Sequence, residues 1–465
     1  GSLENRLRFA REVVEEIKQR CGKDFPVALR FSLKSMIKDW REGALPGEKF
    51  EEKGRDIEEG LQAAKLLVSY GYDALDTDVG TYDAWWWNHP PMYLAKGVYR
   101  EYCQKVKEVV NVPVLCAGRM DNPDMASKAV EDGSCDIVSL GRPLLADPDY
   151  VNKLRAGKTA EIRPCISCQE GCMGRIQEYS MINCAVNPQA ARERVTAYEP
   201  VCGSKHVMII GGGVAGCEAA RVLARRGHRP ELFEKGTRLG GNLIPGGAPD
   251  FKQDDIALAD WYATMLKKLE VPVHLHTEVT KKEVLEGIWD TVIVASGSKP
   301  KVFSLGDDAH VYTAEQVLLN QKDCGQTTVI IGGGLVGCEL ALWLAEQGRN
   351  VTIVEALDQL MAVNGPLCHA NKDMLARLVP YKGVKTITGA CVKSYKQGAL
   401  AYVHDGKEEK ISCDSVILAV GYRENNSLYK ELEFEVPEIY LLGDAKKVSN
   451  IMYGIWDAFE VANHI

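Results

Sequence analysis

The chain has 465 residues, which is too long for one ordinary domain and predicts about three domains. Hydrophobic residues make up 46% of the chain and charged residues 26%, as in soluble globular proteins. The net charge of -8 argues against a nucleic-acid surface, and no apolar run reaches the length that spans a bilayer. No signal peptide opens the chain, so we expect a cytoplasmic protein without nucleic-acid or membrane partners.

The first 160 residues alternate strand-like and helix-like segments. Four short apolar strands are predicted, at Pro26–Phe31, Tyr72–Asp76, Val112–Ala117 and Asp136–Leu140. This alternation is typical of a parallel α/β sheet. A complete (β/α)8 barrel needs about 250 residues, so residues 1–160 are expected to form about half of one. The chain begins with Gly1 rather than Met, and we expect it to be a fragment.

Residues 161–200 interrupt this alternation with closely spaced cysteines. Cys165, Cys168, Cys172 and Cys184 follow the spacing C-x2-C-x3-C-x11-C. A tetrahedral zinc site usually takes two separated pairs of ligands, whereas four thiolates are the standard ligands of an iron–sulfur cubane. The crowded spacing therefore favours a [4Fe-4S] cluster, with a zinc site and a metal-free segment as the alternatives.

From residue 205 onwards a different α/β pattern contains an internal repeat. The run Val207–Glu218 returns as Val329–Glu339, with an offset of 121 residues between Gly211 and Gly332. Each copy has an apolar strand, a G-x-G-x-x-G loop, a helix and a second strand that ends in an acid, which is the fingerprint of a dinucleotide site. The helix begins at the loop and offers its N–H groups to the pyrophosphate. The assigned residues are Gly211, Gly213, Gly216 and Glu234 in the first copy, and Gly332, Gly334, Gly337 and Glu355 in the second.

Further motifs distinguish the two copies. Arg238 and Gly241 follow the first acid, Gly297 belongs to an Ala-Ser-Gly run, and Asp444 belongs to Leu-Leu-Gly-Asp near the C-terminus. These features resemble the FAD domain of two-dinucleotide-binding flavoproteins, in which the Asp holds the flavin ribityl chain. The resemblance implies an FAD domain over residues 201–310 and 416–465, with an NAD domain inserted at 311–415.

The second acid also bears on the choice of nicotinamide cofactor. No Arg follows Glu355 closely, and a carboxylate would repel a 2′-phosphate, so NADH is favoured over NADPH. Neither nucleotide domain has a closely spaced cysteine pair, which argues against thiol–disulfide chemistry.

The cysteine segment lies between Pro164 and Asn183–Pro188. This segment and the order of the motifs resemble the family of trimethylamine dehydrogenase, 2,4-dienoyl-CoA reductase and 2-enoate reductase. Members have an FMN-binding, old-yellow-enzyme-like barrel, then the cluster segment, then FAD and NAD domains. The resemblance covers essentially the whole chain and implies that residues 1–160 are the C-terminal half of the TIM barrel, with the first half missing.

The resemblance also implies an FMN site at the strand ends of the half-barrel. Arg30 would lie against the N1/O2 edge of the flavin. Two Gly-Arg pairs end the last two strands, where barrels bind phosphate; they are Gly118-Arg119 and Gly141-Arg142. The loop Gly80–Pro91 carries three consecutive Trp, some of which should line a flat apolar pocket. Tyr82 and His89 in this loop, with Arg30, are the candidate catalytic residues; for the two loop residues the alternative is loop packing.

The function implied by the resemblance is NADH-dependent reduction of an activated C=C bond. Electrons would pass from NADH to FAD, to the [4Fe-4S] cluster, to FMN and then to a small unsaturated substrate. A 2-enoate, a dienoyl thioester and a steroid or bile-acid enone all stay open, as does a homo-oligomer. The alternatives are an amine dehydrogenase that feeds an electron-transfer partner, an NADH-oxidising electron-transfer module without a complete FMN site, and a non-catalytic zinc protein. The oxygen-sensitive cluster indicates an anaerobic cytoplasm.

Overall fold

The structure is a computed structural model that describes residues 1–362 and 367–465. The chain divides into two compact units. The first comprises Gly1–Leu144 with His369–Met374, and the second comprises Leu145–Cys368 with Leu375–Ile465. Among the described residues, no helix combines the length and the apolar character that a membrane span requires.

The first unit is built on a parallel sheet with helices between its strands. Its strands are β1 Ala28–Ser32, β2 Ile37–Asp39, β3 Glu42–Gly43, β4 Ala74–Asp78, β5 Val114–Cys116 and β6 Ile137–Val138. The helices of this part of the chain are α1 Leu3–Arg6, α2 Arg8–Cys21, α3 Ile57–Tyr70, α4 Trp85–Asn88, α5 Arg100–Lys107, α6 Pro123–Glu131 and α7 Arg142–Ala146. The sheet order is β1-β4-β5-β6, all parallel, which confirms the α/β prediction.

Helix α3 shows why this sequence forms a βα unit. The side chain of Asp56 accepts a hydrogen bond from the Glu59 N–H and caps the first turn. Ala63 and Leu67 bury one face of the helix, and Gly71 ends it with φ +115, a conformation that favours glycine. The next strand, β4, then pairs with β1. Because all four strands are parallel, the residues that follow β1, β4, β5 and β6 lie at one edge of the sheet.

The second unit contains two similar parallel sheets. In the described part of the chain after residue 146, the strands are β7 His206–Ile210, β8 Arg229–Phe233, β9 Val273–His274, β10 Thr291–Val294, β11 Ser298–Pro300, β12 Val311–Thr313, β13 Thr327–Ile331, β14 Asn350–Val354, β15 Lys385–Ile387, β16 Ala390–Lys396, β17 Ala399–His404, β18 Lys407–Ser412, β19 Ser415–Leu418, β20 Tyr422–Glu424 and β21 Ile439–Leu441. The helices over the same residues are α8 Tyr150–Arg155, α9 Arg175–Gln177, α10 Val214–Arg226, α11 Leu243–Gly246, α12 Gln253–Lys268, α13 Lys281–Glu286, α14 Ala314–Leu318, α15 Leu335–Glu346, α16 His369–Tyr381, α17 Ser427–Leu432 and α18 Ile451–His464.

The sequence repeat appears as a structural repeat. One sheet has the order β21-β10-β7-β8-β9, and the other has the order β12-β19-β13-β14-β15. In each sheet the strand before the glycine loop, β7 or β13, lies at the centre and pairs in parallel with the strand that ends in the acid. The antiparallel strands β16, β17 and β18 form a separate small sheet. The prediction of two Rossmann-like units is therefore confirmed.

The strands β11 and β20 mark where the second sheet is inserted into the first. They pair antiparallel, with Ser298 opposite Glu424 and Pro300 opposite Tyr422. The predicted boundary at residue 416 falls inside β19, which belongs to the second sheet. We therefore propose that the inserted domain extends to the β11–β20 pair instead.

Candidate functional site

The first glycine loop has a backbone that only glycine can adopt. Gly211 has φ +111, and a Cβ there would lie 2.3 Å from the Ala295 carbonyl oxygen. A Cβ on Gly216 would lie 1.9 Å from the Gly211 oxygen. Gly213 is the N-cap of α10, so the start of this helix faces the loop. This is the geometry that accommodates a pyrophosphate.

The second glycine loop repeats these contacts almost atom for atom. Gly332 has φ +104, and a Cβ there would lie 2.5 Å from the Ala419 oxygen. A Cβ on Gly337 would lie 2.0 Å from the Gly332 oxygen. Gly334 is the N-cap of α15. The chain therefore has two helix starts with equivalent backbone geometry.

The acids predicted to bind the riboses lie directly beside the loops. Glu234 accepts the Gly212 N–H at 2.7 Å and the Gly236 N–H at 2.6 Å. Glu355 accepts the Gly333 N–H at 2.5 Å and the Leu357 N–H at 2.8 Å. A carboxylate can accept about four hydrogen bonds, so each acid is held in place with capacity left for a ribose hydroxyl.

The separate motifs of the first copy converge on the start of α10. Gly213 forms a bridge with Gly240, and a Cβ on Gly241 would lie 2.9 Å from the Gly213 Cα. A Cβ on Gly443 would lie 2.9 Å from the Cβ of Ala215, which is in the first turn of α10. Segments more than 200 residues apart in the sequence thus surround one helix end.

Asp444 is held beside this helix end by a residue that the sequence analysis did not single out. Ser298 Oγ donates to Asp444 Oδ2 at 2.9 Å, and the Ser449 N–H donates to Oδ1 at 3.0 Å. Burial raises the pKa of Asp444. Gly297 directly precedes Ser298 and has φ +71. Arg238, in contrast, pairs with Asp260 at 2.8 Å and is half-exposed.

The cysteine segment folds back on itself. A Cβ on Gly171 would lie 2.8 Å from the Cys184 carbonyl carbon, and the Asn183 N–H donates to the Gly171 oxygen at 2.7 Å. The backbone of Cys184 therefore lies directly against the loop that carries the other three cysteines. Ser167 and Gln169 in that loop have φ +53 and +61, which is a strained conformation for residues other than glycine and is common at ligand sites.

The electrostatics of these thiols fit a cluster of cationic metal ions. Burial, followed by the charge of Cys172, raises the pKa of Cys168. Burial and Cys172 also raise the pKa of Cys184 to about 11. Buried thiolates that repel one another are costly unless a metal compensates them. Four such donors in one fold match an iron–sulfur cluster in residue type, although no three His, Cys, Asp or Glu among the described residues are arranged to hold a metal ion.

In the first unit, Arg30 meets two acids that the sequence analysis did not assign. Its Nε donates to Asp78 Oδ2 at 2.8 Å, and its Nη1 lies 3.6 Å from Asp76 Oδ2. Burial raises the pKa of Asp78 to about 6 in spite of the opposing charge of Arg30. Both acids lie on β4, two residues apart and thus on one face of the strand. The alternate placing of Asp76 and Asp78 along β4 was the sequence signal that could have predicted this acidic pair.

The aromatic loop divides into a core part and a surface row. The indole N–H groups of Trp86 and Trp87 both donate to the Ala44 oxygen, at 3.1 and 2.7 Å, and both rings are buried. The Trp85 ring stacks between Tyr82 and His89, with ring centroids 4.9 and 4.6 Å away. Tyr82 is 85% exposed. Of the three Trp, only Trp85 belongs to this row.

His89 lies within electrostatic reach of two of the three predicted arginines, Arg142 and Arg30. Burial, followed by the charges of Arg142 and Arg30, lowers the pKa of His89 to about 4. The imidazole is therefore neutral at pH 7. The structure thus brings together three of the residues predicted for this site.

The two Gly-Arg pairs differ in their surroundings. The Arg119 guanidinium donates to the carbonyl oxygens of Pro91, Met92 and Leu94, so it holds the loop rather than facing an open space. Arg142 Nη2 donates to the Pro90 oxygen at 2.8 Å, whereas its buried Nη1 has no hydrogen-bond partner among the described residues. Nothing within 4 Å would meet a Cβ on Gly141. An orphaned buried guanidinium N–H beside an accessible backbone fits an anionic group such as the FMN phosphate.

Comparison with known proteins agrees with a flavin-barrel segment followed by two nucleotide-binding units. Residues 1–161 match the NADH:flavin oxidoreductase / NADH oxidase family, and residues 205–458 match pyridine nucleotide-disulphide oxidoreductase. Cinnamate reductase of Clostridium sporogenes is 51% identical over 465 residues, which are 100% of this chain and 70% of the relative. The chain belongs to the NADH:flavin oxidoreductase / NADH oxidase family.

Two further relatives extend the comparison within this family. NADH oxidase of Thermoanaerobacter brockii is 34% identical over 474 residues, covering 99% of this chain and 70% of that protein. A solved complex of 2-naphthoyl-CoA reductase with 2-naphthoyl-CoA has a TM-score of 0.91 at 27% identity, covering 100% of this chain and 69% of that one. The family architecture of flavin barrel and nucleotide domains is therefore shown.

The neutral His89 of this family member gives a pH prediction. Its folded pKa of about 4 lies below the ordinary value near 6.5, so the unfolded chain binds more protons between these values. The contribution of His89 to the free energy of unfolding should therefore rise with pH through this window, by about 2 kcal/mol between pH 5 and pH 6.5. His89→Gln should remove this rise in urea denaturation at about pH 5 and about pH 7. The control His310→Gln, at an exposed position, should retain it; an unchanged slope in His89→Gln would contradict the burial argument.

Proposed function

We propose that this chain transfers reducing equivalents from NADH to the activated C=C bond of a small unsaturated carboxylate or thioester. The observation that carries the proposal is that one chain contains the strands of a flavin barrel followed in sequence by two complete dinucleotide loops. The relative named cinnamate reductase, at 51% identity, supports an enoate, and the structure with 2-naphthoyl-CoA supports thioesters as the second class.

The first loop is proposed to bind FAD and the second to bind NADH. Gly211, Gly213 and Gly216, with Glu234 and Asp444, surround the start of α10 and fit a flavin dinucleotide. Gly241 and Gly297 would complete the FAD site. The Arg238 side chain would lie at the edge of this site, because it pairs with Asp260. Gly332, Gly334, Gly337 and Glu355 form the NADH site.

The half-barrel is proposed to bind FMN at its strand ends. Arg142, through its unpartnered Nη1, and Gly141, through its accessible backbone, would hold the phosphate. Arg30 would supply a positive charge beside the flavin ring, and its ion pair with Asp78 would partly neutralise that charge. Gly118 and Arg119 would contribute to the FMN site indirectly, because the Arg119 side chain donates to the Met92 oxygen and so holds the loop that contains Met92.

The cysteine segment is proposed to hold a [4Fe-4S] cluster through Cys165, Cys168, Cys172 and Cys184. Bound at these sites, FAD would supply hydride acceptance from NADH, the cluster would supply one-electron transfer, and FMN would supply hydride donation to the β-carbon of the substrate. The chain's own part is to enclose the ligands. Partly buried Cys165, Cys168 and Cys184 pack against the hydrophobic core of the first nucleotide domain, which keeps solvent from the segment.

The row Tyr82–Trp85–His89 is proposed to bind the substrate. The indole N–H of Trp85 is buried and has no hydrogen-bond partner among the described residues, so a substrate oxygen would satisfy it. The neutral imidazole of His89 can donate one hydrogen bond and accept another. The exposed face of Tyr82 can cover a planar unsaturated group.

The test is turnover of anaerobically reconstituted protein, loaded with FMN, FAD, iron and sulfide. With NADH and (E)-3-phenylpropenoate, we expect NADH to be consumed in a one-to-one ratio with formation of 3-phenylpropanoate. Reduction of FAD by NADH without consumption of any enoate would instead support the electron-transfer module. Oxidation of a secondary amine with no response to NADH would support the amine dehydrogenase.

The choice of NADH over NADPH depends on Glu355. Its carboxylate, fixed by the Gly333 and Leu357 N–H groups, should repel a 2′-phosphate. Replacing it in Glu355→Ser should raise the KM for NADH and lower the KM for NADPH, changing the ratio of the two kcat/KM values by about tenfold or more. Steady-state kinetics with both cofactors measure this ratio, and Glu234→Ser, at the FAD site, serves as the control that should leave it unchanged. A wild-type preference for NADPH would contradict the assignment.

A further inference from the structure

Three charged side chains in the second unit are buried together and have no part in the chemistry above. Lys252 Nζ lies 2.9 Å from Glu339 Oε2 and 3.7 Å from Asp255 Oδ2. The side chains of Lys252, Glu339 and Asp255 are 14%, 8% and 5% exposed. We call these three residues the buried triad.

The buried triad joins the two nucleotide domains. Asp255 lies in the first turn of α12, and Lys252 lies in the short turn that precedes this helix. Later residues of α12, such as Leu258 and Ala259, belong to the hydrophobic core of the first domain. Glu339 lies on α15, the helix that begins at the second glycine loop. In addition to the hydrogen-bonded β11–β20 pair, the triad is thus a polar tie between the site proposed for FAD and the helix proposed for NADH.

The charges of the buried triad favour one arrangement of the two domains. Burial opposes the charge on Lys252, but Glu339 and Asp255 outweigh it and raise the pKa of Lys252. Burial raises the pKa of Asp255 to about 6. Charges buried in this way contribute little net stability, and their best-attested effect is to specify one packing, because any other leaves a charge unpaired.

Resting on the proposed function, we propose that Lys252 is a positioning residue for hydride transfer. Through Glu339 it fixes α15 against α12, and so sets where NADH bound at the second loop meets FAD bound at the first. In this step the C4–H bond of the dihydronicotinamide breaks, its electron pair and hydrogen pass to the flavin, and NAD+ remains. Lys252 itself forms no bond. Transfer between two rings is sensitive to displacements of about 1 Å, so a loosened α15 slows it without weakening the binding of either cofactor.

The test compares Lys252→Met, Lys252→Arg and the matched control Lys281→Met in the reconstituted protein. The control removes an exposed ion pair, with Glu435, from the same domain. In Lys252→Met we expect stopped-flow reduction of FAD by NADH to slow by about tenfold to a hundredfold, with the Kd for NADH and the FAD content unchanged. Lys252→Arg should restore most of the rate, and Lys281→Met should behave as wild type.

Three results would overturn the proposal. The first is an unchanged rate in Lys252→Met. The second is a slower rate that follows loss of FAD or a weaker Kd and is not restored by Lys252→Arg. The third is unchanged hydrogen exchange along α15 in FAD-loaded Lys252→Met, where we expect faster exchange. This last measurement needs no turnover, so it still decides the proposal if the wild type is not reduced by NADH and the proposed function fails. If Lys252→Met does not fold, Glu339→Gln is tested in its place.

Discussion

Gly216→Ala should give a protein that holds no FAD, whereas Gly337→Ala should hold FAD that NADH no longer reduces. In both positions a Cβ would lie about 2 Å from a backbone oxygen of the preceding turn, at 1.9 Å for Gly216 and 2.0 Å for Gly337. The helix must therefore move away from the loop, which removes the N–H groups that bind the pyrophosphate. The steric change is the same in both copies, so any difference between the variants reports which dinucleotide each loop binds.

Flavin extraction after purification measures FAD and FMN, and stopped-flow absorbance measures reduction by NADH. We expect the FAD content of Gly216→Ala to fall at least tenfold with FMN retained, and the NADH-dependent rate of Gly337→Ala to fall at least tenfold. Gly203→Ala is the control, because nothing lies within 4 Å of its Cβ. Loss of FAD from Gly337→Ala, with Gly216→Ala intact, would reverse the assignment of the two domains.

Cys184→Ser should abolish most of the iron and acid-labile sulfide of the reconstituted protein. Its backbone lies against the loop of the other three cysteines, so it is placed to provide the fourth thiolate, and a hydroxyl is a poor substitute. Metal analysis and electron paramagnetic resonance of the reduced protein measure the loss. Cys202→Ser, at an exposed position, should retain the wild-type iron content. Zinc in place of iron in the wild type would favour the structural zinc site.

The glycine loops were predictable because their constraint is local. A strand, three glycines at fixed spacing and an acid determine a turn whose geometry follows from backbone sterics alone. Both copies have the close approaches that this spacing requires. The parallel strands of the half-barrel were predictable for the same reason, since each βα unit is read from neighbouring residues.

What the sequence analysis missed depends on contacts between distant residues. The pairing of Arg30 with Asp78 joins positions 48 residues apart, and Ser298 contacts Asp444 across 146 residues. Arg119 donates to a loop more than 20 residues earlier in the sequence, whereas the sequence suggested a phosphate ligand. The domain boundary at residue 416 stays a prediction; strand β19, which contains this residue, pairs within the second sheet, and only contacts between distant strands reveal this.

The antiparallel pairing of β11 with β20 also affects how the inserted domain could be lost in evolution. Because Pro300 and Tyr422 are directly opposite each other, the two ends of the inserted domain are about 5 Å apart. A two-residue hairpin turn spans that gap, so excision of residues 301–421 needs no rearrangement of the host sheet. Such an excision would also leave buried Lys252 and Asp255 without Glu339, so a descendant that drew its electrons from another donor would have to replace this contact as well as rejoin the chain.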